Sequence, residues 1–225
     1  MIDILAPVIA LDGPSASGKG TVAARVAAAL EFHYLDSGAL YRLTALAAVR
    51  RGVLFDDVEG LTEVARALDA SFVEGVILLD GEEATEAIRS EAIGEGASRV
   101  AALAPVRDAL LARQRAFQRL PGLVADGRDM GSVVFPQAQL KVFLTATAEV
   151  RAERRHKQLI AKGEDVTIQK ILEDIQQRDA RDSARTVAPL VQLPDARLLD
   201  TSAMTIDQAV RTVLGWWETV QSSRP

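Results

Sequence analysis

A short apolar run at residues 4–11 leads into Gly13-Pro14-Ser15-Ala16-Ser17-Gly18-Lys19-Gly20-Thr21, and a helical pattern follows at residues 22–30. A glycine-rich loop joining a strand to a helix constrains the fold more than any other feature of the chain, because it dictates both flanking elements. The glycines let backbone amides turn inward, the helix N-terminus adds its positive end, and Lys19 supplies a point charge. Together they form a cradle for the β- and γ-phosphates of a triphosphate. An ordinary glycine-rich turn would not also need the lysine at this spacing. The loop departs from the general pattern at one position. Gly20 separates Lys19 from the hydroxyl residue, so a metal contact from Thr21 is displaced by one residue.

Further short apolar runs occur at residues 122–125, 140–144 and 197–200, and helical patterns lie between them. Strands that alternate with helices predict an α/β fold, here a five-stranded parallel sheet with helices on both faces. Residues 37–120 interrupt the alternation. They read as mostly helical, with a small hairpin over residues 70–80 turning at Glu74 and Gly75. The expected organisation is one folding unit, with a core of residues 1–36 and 121–225 and an inserted subdomain of residues 37–120. A charged helix running to residue 161, a turn at residues 162–164 and a helix over residues 167–182 follow the run at residues 140–144. A last helix over residues 205–220 packs one ring of the Trp216 and Trp217 pair inward, and residues 222–225 form a loose tail.

Composition removes several classes of function. With 225 residues, 48% of them hydrophobic, the chain can bury a core by itself. No cysteine is present, so disulfides and thiolate metal sites are excluded, which fits the cytoplasm. No leader pattern and no stretch of about 18 apolar residues is visible, so neither export nor a membrane partner is expected. A formal net charge of −5 argues against binding a nucleic acid polymer. His33 and His156 are too few and too isolated to suggest a metal centre. The basic residues are mostly arginine, whose planar fork suits bidentate capture of phosphate on a small ligand.

Four more groups carry chemistry. The strand ending at Asp126 presents a carboxylate where a second nucleotide-binding element holds Mg²⁺, directly or through a water. Asp36-Ser37-Gly38-Ala39-Leu40-Tyr41-Arg42 enters a helix that Ser37 can cap; a phenol and a guanidinium follow one turn later, so a cap and a ligand contact are both open. Arg178, Asp182 and Arg185 lie at i, i+4 and i+7 and share one helical face, as do Arg151, Arg154 and Arg155 at i, i+3 and i+4. Either face could be solvated, with Glu149 and Glu153 as local partners for the second.

Taken together, the loop Gly13 to Thr21, the run Tyr34-Leu35-Asp36-Ser37-Gly38-Ala39-Leu40-Tyr41-Arg42, Asp126-Gly127-Arg128-Asp129-Met130-Gly131, and Arg178-Asp179 with Arg181-Asp182 and Arg185 resemble bacterial cytidylate kinases. The likeness extends over nearly the whole chain. It implies a nucleoside-monophosphate-kinase-like P-loop fold in which residues 37–120 form the monophosphate-binding insert and residues 151–166 a short lid. It further implies that MgATP donates its γ-phosphoryl group to CMP or dCMP, and that the enzyme works as a monomer. By the same resemblance Ser98, Arg107 and Asp129 read the cytosine, and Arg42, Arg128 and Arg178 hold the acceptor phosphate. Ser37 and Tyr41 line that pocket, and Asp182 and Arg185 face the sugar. Lys19, Asp126, Arg128 and the lid arginines Arg151, Arg154 and Arg155 serve the transfer itself. A carboxylate can accept from the amino group of cytosine and an arginine can donate to its ring nitrogen and carbonyl, a pattern that uracil reverses. Two other readings share the loop: a kinase for UMP, AMP or a non-nucleotide acceptor, and an ATP-dependent binding switch. A guanine-reading switch is excluded, since its Asn-Lys-x-Asp box needs asparagine and the chain has none.

Overall fold

The computed structural model describes residues 5–73 and 75–222. In chain order the elements are β1 (Val8–Asp12), α1 (Lys19–Leu30), β2 (His33–Asp36), α2 (Ser37–Arg50), α3 (Val58–Arg66), β3 (Ala70–Val73), β4 (Val76–Leu79), β5 (Glu82–Glu83), α4 (Glu91–Val100) and α5 (Ala104–Arg115). They continue with β6 (Leu123–Gly127), β7 (Leu140–Thr145), α6 (Ala148–Ala161), α7 (Ile168–Ser183), β8 (Arg197–Asp200) and α8 (Ile206–Ser222). The chain divides into two compact units. One runs up to Leu35 and resumes at Phe117, and the other is Asp36–Ala116.

The first unit is built on the expected five-stranded parallel sheet, in the order β2-β6-β1-β7-β8. β1 lies at its centre, parallel to β6 on one side and to β7 on the other. Such a strand has no solvated face, and all five residues of Val8–Asp12 are buried, four of them apolar and the last a carboxylate. Ile9 and Leu11 pack with Val22, Ala23 and Val26 of α1, Val142 and Leu144 of β7, and Val213 of α8. Trp217 is the ring that turns inward, meeting Phe32 edge-on at 5.8 Å. Trp216 stays partly buried beneath the Arg197 guanidinium. A smaller apolar cluster joins α6 to α7 through Ala152, Leu159, Ile171 and Ile175.

The second unit is helical apart from a three-stranded sheet, β3-β4-β5, whose neighbours run antiparallel. The expected hairpin is present, with Val73 opposite Val76; Gly75 takes φ +84° in its turn, and Glu74 lies outside the described residues. β5 was not anticipated, because two glutamates carry no strand signal and pair only through their backbone with Leu78 and Leu79. α2 is buried on nearly every side, as a helix without a polar face must be.

Local readings need correction at three places. The cap of α2 is Asp36, not Ser37: its backbone is still extended and its carboxylate accepts from the Ala39 amide at 3.1 Å. Ser37 is already the first helical residue, so its side chain is in the wrong place to cap. β1 starts only at Val8, and Ser222, expected to begin a loose tail, still belongs to α8. Ile4 and residues 223–225 lie outside the described residues. Among the described residues no helix is long and apolar enough to cross a membrane.

Candidate active site

The loop after β1 is shaped by close approach. A Cβ at Gly13 would stand 2.0 Å from the Leu144 carbonyl oxygen, so any other residue would push the loop off β7. Ala16 and Gly18 both take positive φ, +56° and +90°, which turns the backbone through the tight path that leads into α1. Gly18 is the N-cap and offers no side chain to the first amides of α1, so that end of the helix is left to an anion. Ser17 Oγ donates to Pro14 O at 2.9 Å and ties the loop across itself. The Ser15 hydroxyl is buried with no hydrogen-bond partner among the described residues. Lys19 Nζ lies 3.4 Å from Pro14 O and 3.8 Å from Asp126 Oδ1, both long contacts for an ammonium group.

Asp126 stands near the end of β6 and is almost wholly buried. An ideal Cβ on Gly20 would approach Asp126 Oδ2 to 3.0 Å, which accounts for the glycine that interrupts the usual loop pattern. Thr21 is exposed in the first turn of α1. A hydroxyl that does stand beside Asp126 is that of Tyr34 on β2, 3.5 Å from Oδ2. A buried carboxylate facing a lysine at the mouth of a phosphate loop fits Mg²⁺, which is usually held by one or two carboxylates together with substrate phosphates.

Beyond β6, Arg128, Arg178 and Arg185 gather around Asp182 of α7. Arg128 Nε donates to Asp182 Oδ2 at 2.9 Å, and Arg185 donates to Oδ1. Burial pushes the Asp182 carboxyl up, yet the pull of Arg128, Arg185 and Arg178 and the hydrogen bond from Arg128 leaves it below the ordinary carboxylate value. Three guanidinium groups converging on one buried point are arranged to share an oxyanion. Asp182→Asn removes the charge that holds them together, and we expect it to destabilise the fold by about 3 kcal/mol in urea unfolding at pH 7. Because the folded pKa is lowered, this contribution is present above the ordinary carboxylate range and is lost only as pH falls through the folded value.

The arginines of α6 are already engaged. Arg151 forms a bidentate pair with Asp179 of α7, at 3.0 and 2.6 Å, and reaches Ser15 O at 3.3 Å. Arg154 donates to Ser17 O and Thr201 Oγ1, both at 3.1 Å, and to Thr201 O at 2.6 Å. Both side chains therefore bind the carbonyl side of the phosphate loop, and the Ala16 methyl packs on the cluster between α6 and α7. Arg155 contacts Gln158 at 3.3 Å; burial draws its guanidinium below the ordinary value against the pull of Glu164.

Asp129 is buried at the head of a π-helical turn, Met130–Val134. The residue that holds this turn was missed in the sequence: Asp12, at the end of β1, accepts from the amides of Met130 and Gly131, each at 2.8 Å. Its one visible signal is a carboxylate closing an otherwise apolar strand just before Gly13. Tyr34, Asp179 and Thr201 were missed too, since each acts through a partner distant in sequence.

The other unit holds the remaining expected residues, among them Ser37, buried in the first turn of α2. Arg42 of α2 donates to Ile88 O at 2.6 Å, and its guanidinium fills the space a side chain at Gly94 would need. Arg107 of α5 is buried over the Tyr41 ring, 5.7 Å from its centroid, and donates to Ala101 O at 3.2 Å. Ser98 of α4 keeps a buried hydroxyl with no hydrogen-bond partner among the described residues. A buried orphan of this kind costs about 1–3 kcal/mol unless a ligand or water meets it.

The family profile described as cytidylate kinase matches residues 9–219. Over 217 residues, covering 96% of this chain and 98% of the relative, the sequence is 64% identical to a cytidylate kinase of Chromobacterium violaceum. It is 59% identical to that of Burkholderia ambifaria and 60% identical to that of Burkholderia vietnamiensis, in each case over 94% of this chain and 92% of the relative.

Proposed function

The chain belongs to the cytidylate kinase family, and on that premise we propose that it transfers the γ-phosphoryl group of ATP to CMP or dCMP, giving the nucleoside diphosphate and ADP. The observation that carries this reading is the gathering of Arg128, Arg178 and Arg185 on Asp182 in the same unit as the phosphate loop. A triphosphate cradle alone would serve any P-loop protein. A second anion-binding cluster beside it fits an acceptor that is itself a phosphate.

Under this reading the loop amides from Gly13 to Thr21 and Lys19 hold the donor, and Arg128 and Arg178 hold the acceptor phosphate. Asp182 and Arg185 orient the sugar. Asp129, Ser98 and Arg107 read the base, and the buried Ser98 hydroxyl suits a polar base edge. Arg42 serves the acceptor phosphate, and Tyr41 and Ser37 line its pocket. Asp126 would hold Mg²⁺, directly or through a water, and the ion would spread the charge of the β- and γ-phosphates. An acceptor oxygen attacks the γ-phosphorus as the bond to the β–γ bridging oxygen breaks, and the electron pair leaves on ADP. The acceptor phosphate is largely ionised at neutral pH, so this step calls for positioning and charge neutralisation rather than a general base. Arg151 and Arg154 support the loop from α6, and with Arg155 they are the guanidinium groups nearest in role to the transferring phosphoryl. The same reading has the chain working as a cytoplasmic monomer, which light scattering on the purified protein checks for oligomeric state.

A coupled assay of ADP formation with CMP, dCMP, UMP and AMP tests the proposal. The expected result is turnover with CMP and dCMP well above UMP and AMP. Best turnover with UMP or AMP would overturn the assignment of the base-reading residues, and ADP formed without stoichiometric use of any acceptor would point to an ATP-driven switch.

A further inference from the structure

Asp12 ends a strand whose other residues are Val, Ile, Ala and Leu. It pairs across the sheet with Gly127, and its carboxylate reaches past that pairing to the turn beyond β6. Oδ1 takes the Met130 amide and Oδ2 the Gly131 amide, each at 2.8 Å. Two adjacent amides aimed at one side chain need two acceptor atoms, and both oxygens of a carboxyl group can accept, whereas an amide offers one acceptor and one donor group. The single methylene of Asp12 leaves little slack. Gly131 allows the approach, since a Cβ there would lie 3.4 Å from Asp12 Oδ2 and 3.1 Å from Lys141 Cδ. The Lys141 ammonium is not turned to Asp12 but pairs with Asp195 at 2.8 Å. A carboxylate buried in this way is costly to a fold, and such costs concentrate where geometry serves function.

The residues just before the tethered amides are Arg128 and Asp129. Arg128 is fixed at its far end by Asp182, so the near end of that loop is set by whatever holds Met130 and Gly131. We propose that Asp12 is a positioning residue for the acceptor side of the reaction, tying the loop that carries Arg128 and Asp129 to the strand that ends in the phosphate loop. The inference rests on the function proposed above. It makes the end of β1 a shared anchor: Gly13 onward serves the donor, and the Asp12 side chain serves the acceptor. A displacement of about 1 Å in such a loop costs on the order of 10²-fold in rate when it carries orienting groups.

Asp12→Asn is the test, because an amide keeps the size but sets an N–H₂ against one of the two backbone donors. In the variant we expect the KM for CMP to rise about ten-fold, or kcat to fall as much, while ATP affinity measured with a fluorescent analogue changes less than about two-fold. In the ligand-free chain, amide exchange followed by NMR should speed up at Met130 and Gly131 and stay unchanged within α8. Wild-type CMP kinetics in the variant, or equal losses for CMP and ATP, would overturn the proposal. Should the variant fail to fold, exchange in the parent decides: Met130 and Gly131 protected like the interior of β1 support the tether, and rapid exchange at both sinks it. A parent chain that does not phosphorylate CMP would defeat the functional reading, while the exchange measurement would still judge the tether.

Discussion

Lys19→Met lowers kcat for CMP phosphorylation by on the order of 10³ while the chain still folds. The ammonium lies 3.4 Å from Pro14 O and 3.8 Å from Asp126 Oδ1, both long for its charge, at the mouth of the loop that would receive the donor phosphates. On the function proposed above, its charge serves the donor phosphates. Charge on the β- and γ-phosphates grows as the phosphoryl group leaves, and a fixed cation in a water-poor cradle stabilises that state more than it does bound ATP. Methionine keeps an unbranched stem of similar reach and removes the charge together with its N–H donors. Steady-state rates at saturating ATP and CMP, with a melting curve beside them, check the expectation. A loss of less than about ten-fold would move the main electrostatic duty to Arg151, Arg154 and Arg155, at odds with the ties that bind the first two to Ser15, Ser17, Asp179 and Thr201.

The phosphate loop was legible in the sequence because every part of it is local: two short elements, the glycines and a lysine within nine residues. The face of Arg178, Asp182 and Arg185 was legible as a face, since helical spacing alone aligns it. What it aligns with was not, because Arg128 reaches Asp182 from another element, 54 residues away in sequence. Arg151 misled in the same way. Glu149 and Glu153 looked like its partners, yet the carboxylate that pairs with it is Asp179, brought near by the packing of α6 on α7. Asp36 and Ser37 are both good caps, and only the backbone decides between them. Asp12 was the hardest to see. At the end of an apolar strand a carboxylate looks like the edge of a turn, and its role depends on two amides more than a hundred residues further on.

Between about pH 4 and pH 7 the ligand-free chain should lose stability as pH rises, and Asp12 should be the cause. Burial pushes its carboxyl up from 3.8 to about 7, against the amides of Gly131 and Met130, which pull it down; Asp129 and Asp126 add repulsion. Over that window the folded protein keeps a proton that the unfolded chain has released, so each step upward in pH favours unfolding, and the effect levels off above the folded pKa. The full shift corresponds to up to about 4 kcal/mol. Asp182 has the opposite sign and a different window: its lowered pKa makes its contribution constant above the ordinary carboxylate value and lost only as pH falls below it. The two are therefore separable by pH alone. Urea unfolding of the parent at pH 5, 6, 7 and 8, in EDTA and without nucleotide, should show the decline, and Asp12→Asn should flatten it. If the variant kept the slope of the parent, the buried charge would belong to another group. If it flattened the curve and also impaired CMP use, then the carboxylate that weakens the resting fold would be the one that holds Arg128 and Asp129 in place.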